Sequence, residues 1–182
     1  MINPAYQDEE VIKTIRQTFK KTGMVHLDNF MDEKSYILLK EKSKKLKFTY
    51  KKIPDSFSYS VSSQKNFFES FDFKNYLKRV SDKNIRLTAT TIKRFSHRDY
   101  TIIKDGQKTS ELLFVFFLVD RWEIRWGGNK VMTTKDESYV FPPRANSLLI
   151  IKKTPYTKEF LQYINHKAER NHMILIEGSI KD

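Results

Sequence analysis

The amino-acid sequence predicts an α+β fold that is mainly β, a jelly roll with N-terminal supporting helices. Three observations predict it. Apolar residues recur at helical spacing in the first half of the chain. After Lys83 the pattern changes to roughly eight closely spaced β-rich runs divided by turn signals. One of these runs, residues 112–119, is apolar at both parities, as a strand covered on both faces must be. Helices first and strands afterwards suggest packed β-layers braced by helices rather than alternating βαβ units.

Val11, Ile12, Ile15 and Phe19, with charges between them, predict an amphipathic helix over 8–21, ended by Gly23. Residues 24–27 read as a short strand, with His26 on a strand face. Asp32 is placed to cap a second helix over 33–47, with Tyr36, Leu39 and Leu46 on its core side. Its outer side carries Lys40, Lys42, Lys44 and Lys45, either a solvated face or an anion patch. Residues 48–60 alternate weakly and contain Pro54, which suits an edge strand or a loop. Phe67, Phe68, Phe71, Phe73, Tyr76, Leu77 and Val80 form an aromatic-rich helical region, read as core packing rather than a base-stacking platform. Residues 86–95 open the β-rich part. Further strands are expected at 121–126, 130–134, 139–141, 147–152, 160–165 and 172–177.

The chain has 182 residues, enough for one domain with a real core, and the whole of 1–182 is expected to be that domain. Residues 1–85 would supply the helices and first strands, and 86–182 the jelly-roll core. Net charge is +12, so acidic partners are favoured, ribosome or RNA among them. Cysteine is absent, which excludes disulfides, thiol catalysis and thiolate zinc sites. No signal-peptide pattern opens the chain, and the longest apolar run is far below the ~20 residues of a membrane span. A cytoplasmic protein without membrane attachment is expected. No phosphate loop or nucleophile elbow is visible, and four scattered histidines argue against zinc.

Three stretches carry a resemblance. The first is 94–106, RFSHRDYTIIKDG, with Phe95 and Asp99-Tyr100-Thr101 as landmarks. The second is the apolar run leading through Trp122 and Trp126 to Gly127-Gly128. The third is 141–150, in which Pro142 and Pro143 precede Asn146 and a core strand. In this order they resemble the Fe(II)/2-oxoglutarate-dependent oxygenases of the prolyl 4-hydroxylase type. The similarity is nearest to the catalytically silent second domain of the eukaryotic ribosomal-protein prolyl hydroxylases. The resemblance implies a double-stranded β-helix, covering about residue 86 onward.

It also implies where a metal site would be. The family holds Fe(II) with a His-x-Asp pair before the buried strand and a His on a later strand. A basic residue then pairs with the far carboxylate of 2-oxoglutarate. In the family's register the His-x-Asp slot falls on Lys104-Asp105-Gly106, where lysine and glycine are not ligands. Asp105-Gly106 is equally a tight-turn signal. His97-Arg98-Asp99 lies earlier, where the family has a turn. No His occurs between Lys152 and Asn165, and Gln162 is the only oxygen donor expected on the strand at 160–165. Arg170 stands near the co-substrate position and could hold a 2-oxoglutarate-like anion, or be a surface turn residue paired with Glu169. The expectation is therefore a degenerate, non-catalytic oxygenase-fold domain without cofactor, binding a protein or ribonucleoprotein partner. The alternative is an active dioxygenase with Fe(II) on a displaced site of His97, Asp99 and His166, using 2-oxoglutarate through Arg170.

Overall fold

The structure is a computed structural model and describes residues 1–64, 66–83, 86–104 and 111–181. Helix α1 (Glu9–Thr22) starts where the Asp8 carboxylate accepts hydrogen bonds from the amides of Glu10 and Val11, and ends at Gly23 with φ 73°. It buries Ile12, Ile15 and Phe19, the stripe its spacing predicted. Strand β1 (Met24–Leu27) leads to α2 (Glu33–Lys44), capped by Asp32. A hairpin of β2 (Thr49–Ile53) and β3 (Phe57–Ser62) turns at Pro54, so the single edge strand or loop expected there is two strands. After it, α3 (Phe71–Ser81) buries Phe73, Tyr76, Leu77 and Val80.

The remaining strands are β4 (Arg86–Phe95), β5 (Tyr100–Lys104), β6 (Glu111–Leu118), β7 (Lys130–Thr133), β8 (Ser138–Phe141), β9 (Ser147–Lys153), β10 (Lys158–Leu161) and β11 (Met173–Lys181). Residues 124–126 form a single 3-10 turn rather than the strand expected at 121–126. The strand expected at 160–165 is shifted back to Lys158–Leu161. That shift matters for the site below.

The sheet order is β1-β9-β6-β11-β4-β3-β5-β10-β7-β8, with β2 paired to β3, and the pairings between these strands are antiparallel. β3 is the corner: Ser60 to Ser62 pair with β4, while Phe57 and Ser58 pair with β5. The sheet curls there, so β5, β10, β7 and β8 face β4, β11, β6 and β9. This is the predicted jelly roll. Two cores result from strand alternation. Even-numbered residues of β6 (Leu112, Phe114, Phe116, Leu118) pack against the helices, as do Leu148, Ile150, Ile174 and Ile176. Phe68, Phe73, Phe114 and Phe116 form a ring cluster with centroids 4.8–5.5 Å apart, so the aromatic stripe is core. Odd-numbered residues (Leu113, Val115, Phe117, Leu149, Leu175) point into the barrel.

Candidate functional site

One end of the barrel is closed by turns. Asp99 pins the β4–β5 turn: its carboxylate accepts from the Ser96 amide at 2.9 Å. The same turn is tied to the β10–β11 connection by Arg98 N to Ile164 O (2.8 Å) and Ile164 N to Asp99 O (3.0 Å). Gly127 has φ 79°, and a Cβ there would lie 2.2 Å from the Tyr163 carbonyl oxygen. Its own carbonyl accepts from the Trp122 indole at 2.9 Å. The Trp126-Gly127-Gly128 stretch is thus a plug, not a loop for phosphate.

Inside, the closed half is filled by Phe95, Phe117, Leu161, Met173 and Leu175, each no more than 2% exposed. The next layer is charged. Lys93 of β4, Lys130 of β7, Lys153 of β9, Glu159 of β10 and Glu177 of β11 meet there. Lys130 Nζ lies 2.9 Å from Glu159 and 3.2 Å from Glu177. Lys153 Nζ lies 2.8 Å from Glu159, and Lys93 bonds the second oxygen of Glu177 while sitting 5.2 Å from the Tyr59 ring centroid. Each position has inward parity on a strand whose other inward residues are mostly apolar. Charges so placed persist only when paired.

The electrostatics follow from that pairing. Burial alone would push the Glu159 and Glu177 carboxyls up, but the lysines outweigh it. Glu159 is held down to about 2 by Lys130 and Lys153, and Glu177 is held well below the carboxylate range by Lys130 and Lys93. Burial would likewise lower Lys130, yet Glu159 and Glu177 hold it above the ordinary lysine range. All three stay charged at neutral pH.

The residues singled out in the sequence lie elsewhere. His97 and Asp99 are in the β4–β5 turn, and His166 is exposed in a one-turn segment, 166–168, at the closed end. Among the described residues, no three His, Asp or Glu side chains converge as a metal-holding group, these three included. Burial raises the Asp99 pKa against the opposing pull of the Ser96 hydrogen bond. Arg170 is exposed on the turn before β11, away from the charged layer. Gln162 accepts a hydrogen bond from Asn129 at 2.7 Å. Of the slot Lys104-Asp105-Gly106, Asp105 and Gly106 lie outside the described residues, as does the Lys104 side chain. His26 lies 3.1 Å from Ser147, but that serine is fully buried and donates to the Arg144 carbonyl, so the pair is no nucleophile.

The Fe(II) chemistry that the sequence resemblance implies asks for two imidazoles and a carboxylate with free lone pairs on one face. The described residues do not fit that group. The inward residues on β10 are Glu159 and Leu161, neither a histidine, and the Glu159 carboxylate lies between two ammonium groups. A cation placed against it would face Lys130 and Lys153.

Residues 55–179 match the family model described as "Oxoglutarate and iron-dependent oxygenase degradation C-term". The chain belongs to this family. Among curated proteins, none matches it in sequence. Solved structures share the fold. A 2OG-Fe(II) oxygenase family oxidoreductase from Burkholderia pseudomallei superposes with a TM-score of 0.75 at 10% identity, covering 96% of this chain and 92% of that one. A Pseudomonas putida prolyl-4-hydroxylase gives 0.73 at 7% identity over 93% and 98%. A Trichoplax adhaerens prolyl hydroxylase, in complex with a hypoxia inducible factor peptide fragment, gives 0.66 at 12% over 94% and 90%. The jelly roll of this family member is therefore the 2-oxoglutarate oxygenase fold, and its charged layer is the feature that sequence reasoning missed. A signal was present: Glu177 directly follows the apolar run 173–176 and precedes the apolar Ile180.

Proposed function

We propose that this chain is a non-catalytic member of the oxygenase fold that serves a protein or ribonucleoprotein partner. The observation that carries the reading is the ion-paired layer of Lys93, Lys130, Lys153, Glu159 and Glu177 inside the barrel. It ties up the two inward carboxylates with ammonium groups and, among the described residues, leaves no lone-pair set for Fe(II). Asp99, the carboxylate of the alternative site, is used on a backbone amide. The partner reading is supported by the net charge of +12 and by exposed lysines on α2, at its C-cap and on β2, including Lys42, Lys45, Lys51 and Lys52.

The test is titration of Mn(II), an inert stand-in for Fe(II), with 2-oxoglutarate present, followed calorimetrically. No saturable uptake is expected up to millimolar metal, and Arg170→Ala changes nothing. Micromolar uptake abolished by Glu159→Gln or His97→Ala overturns the proposal in favour of an oxygenase. Binding of a ribonucleoprotein partner is expected to weaken steeply as salt is raised, because phosphate contacts release counterions.

A further inference from the structure

Strand β2 (Thr49–Ile53) adds to neither core. It pairs with β3, off the main path of the sheet, and all five of its residues are exposed. Lysines at a sheet edge blunt it against pairing with another chain, and Lys51 and Lys52 serve that end. Tyr50 and Ile53 do not: they stand 59% and 53% exposed on the same strand. The edge is guarded and yet presents an open aromatic ring.

The register shows what lies beside that ring. Tyr50 pairs with Ser60 of β3, and Ser60 with Arg94 of β4, so the three share one face of the sheet. The Arg94 guanidinium lies over the Phe48 ring, 4.5 Å from its centroid. Phe48 belongs to the short connection, 45–48, that joins α2 to β2, and Lys45 and Lys47 of that connection are exposed. From Lys40 to Ile53 the chain carries seven lysines against one acid, Glu41. Lys40 pairs with Asp120, and Lys44 with Glu41. Among the described residues, Lys42, Lys45, Lys47, Lys51 and Lys52 have no carboxylate within ion-pair distance, and neither has Arg94.

Charge and chemistry together select the partner. Unpaired ammonium groups spread over the end of a helix, a connection and a strand match a partner with repeated negative charge, not a single carboxylate. An open tyrosine ring beside a guanidinium offers a stacking face, which bases use and acidic side chains cannot. An anionic membrane would suit the lysines, but the β2–β3 turn carries Asp55, exposed at φ 57°, where a membrane contact needs apolar or basic residues. Bases in a duplex are stacked on one another, so a single strand is the form that offers phosphates and a free base face together. We propose that this surface binds single-stranded RNA, its phosphates on Lys42, Lys45, Lys47, Lys51 and Lys52 and a base stacked on Tyr50. RNA rather than DNA follows from the ribonucleoprotein reading above, on which this assignment rests; the metal titration tests that reading without RNA, so the two can fail separately.

The test is fluorescence anisotropy of a labelled oligouridylate of about 12 nucleotides, titrated with the full chain. Saturable binding is expected, with log affinity falling against log salt at a slope of about −3.5, from about −0.7 for each of five phosphates. K51Q/K52Q, at exposed positions and so without cost to the fold, makes that slope shallower by about 1.4. Tyr50→Ala weakens binding about tenfold and leaves the slope unchanged, and Tyr50→Phe restores the affinity. K21Q/K167Q removes the same charge from exposed positions elsewhere and changes neither affinity nor slope. Absence of saturable binding overturns the proposal. So does a loss in K21Q/K167Q equal to that in K51Q/K52Q, which would make the effect one of net charge, and so does an unchanged affinity in Tyr50→Ala. Tighter binding of the matching deoxyoligonucleotide or of duplex RNA would assign the surface to DNA or to a duplex. Binding only of anionic phospholipid vesicles would make it a membrane contact, and binding only of an acidic peptide a protein contact; each of these results also overturns it.

Discussion

At the scale of single residues, Lys130 holds the barrel interior together. Among the described residues, its ammonium is the one group paired with both Glu159 and Glu177, and its side chain is 7% exposed. Removing one member of a buried ion set leaves its partners charged and unpaired, which costs about 3–5 kcal/mol. Lys130→Met is expected to lose about that much in urea unfolding. K130M/E177Q should lose less than the sum of the single variants, because the second change removes a charge that the first orphaned. Additive losses would show that the two groups do not interact. These residues were hard to read from sequence for a physical reason. Lys93 sits between Ile92 and Arg94, and Lys153 follows Lys152. In a strand, successive side chains face opposite sides, so inward and outward lysines look alike until register is known. Glu159 was hidden further by the expected start of its strand at 160.

At the scale of elements, legibility followed how much of the signal was local. α1 was readable because its cap, its 3.6-residue stripe and Gly23 agree. β6 was readable because it is apolar on both faces. The stretch at 121–126 was misread as strand: Trp and Ile suit a strand by propensity, but the tight 3-10 turn there serves the plug at Gly127. That plug can be tested against the other glycine turn. Both Gly23 and Gly127 have positive φ, but a Cβ at Gly23 meets nothing nearer than 3.9 Å, whereas at Gly127 it meets the Tyr163 carbonyl. Gly23→Ala is expected to cost about 1–2 kcal/mol for the left-handed backbone alone. Gly127→Ala should cost more, by at least about 1 kcal/mol, because backbone must move. Thermal unfolding of the two variants ranks them, and equal losses would remove the close packing of 127 against 163. Asn146 was picked out by resemblance alone. Its side-chain amide bonds both the N–H and the C=O of Met31 at 2.9 and 2.8 Å, which is why the step into β9 carries asparagine.

At the scale of the whole molecule, the fold was legible because patterning sums over many residues, while the barrel's contents were not because they depend on a few. The charged layer should make stability depend on pH in a particular window. Glu159 and Glu177 have folded pKa values below the unfolded value near 4.5, so the native state holds fewer protons than the unfolded chain between them. Their contribution is present in full above about pH 5 and is lost as pH falls from 4.5 through about 2. His26 and His172, both lowered by burial, act in the same direction from pH 6.5 downward, since the unfolded chain charges them first. Asp99, raised by burial, opposes them weakly. Lys130 has a folded pKa above 10.5, so its contribution is complete below that value and is lost only as pH rises through the folded one. A stability plateau from about pH 7 to pH 10 is therefore expected, with a slow decline below 6.5 and a steep one below 4.5, where protonated carboxyls leave Lys93, Lys130 and Lys153 facing one another. Melting temperatures recorded from pH 2 to pH 10 check this. E159Q/E177Q should start lower at neutral pH and show a much shallower acid limb. An acid limb as steep in that variant as in the parent chain would place the titrating groups outside the barrel, and the layer would then contribute nothing that pH can remove.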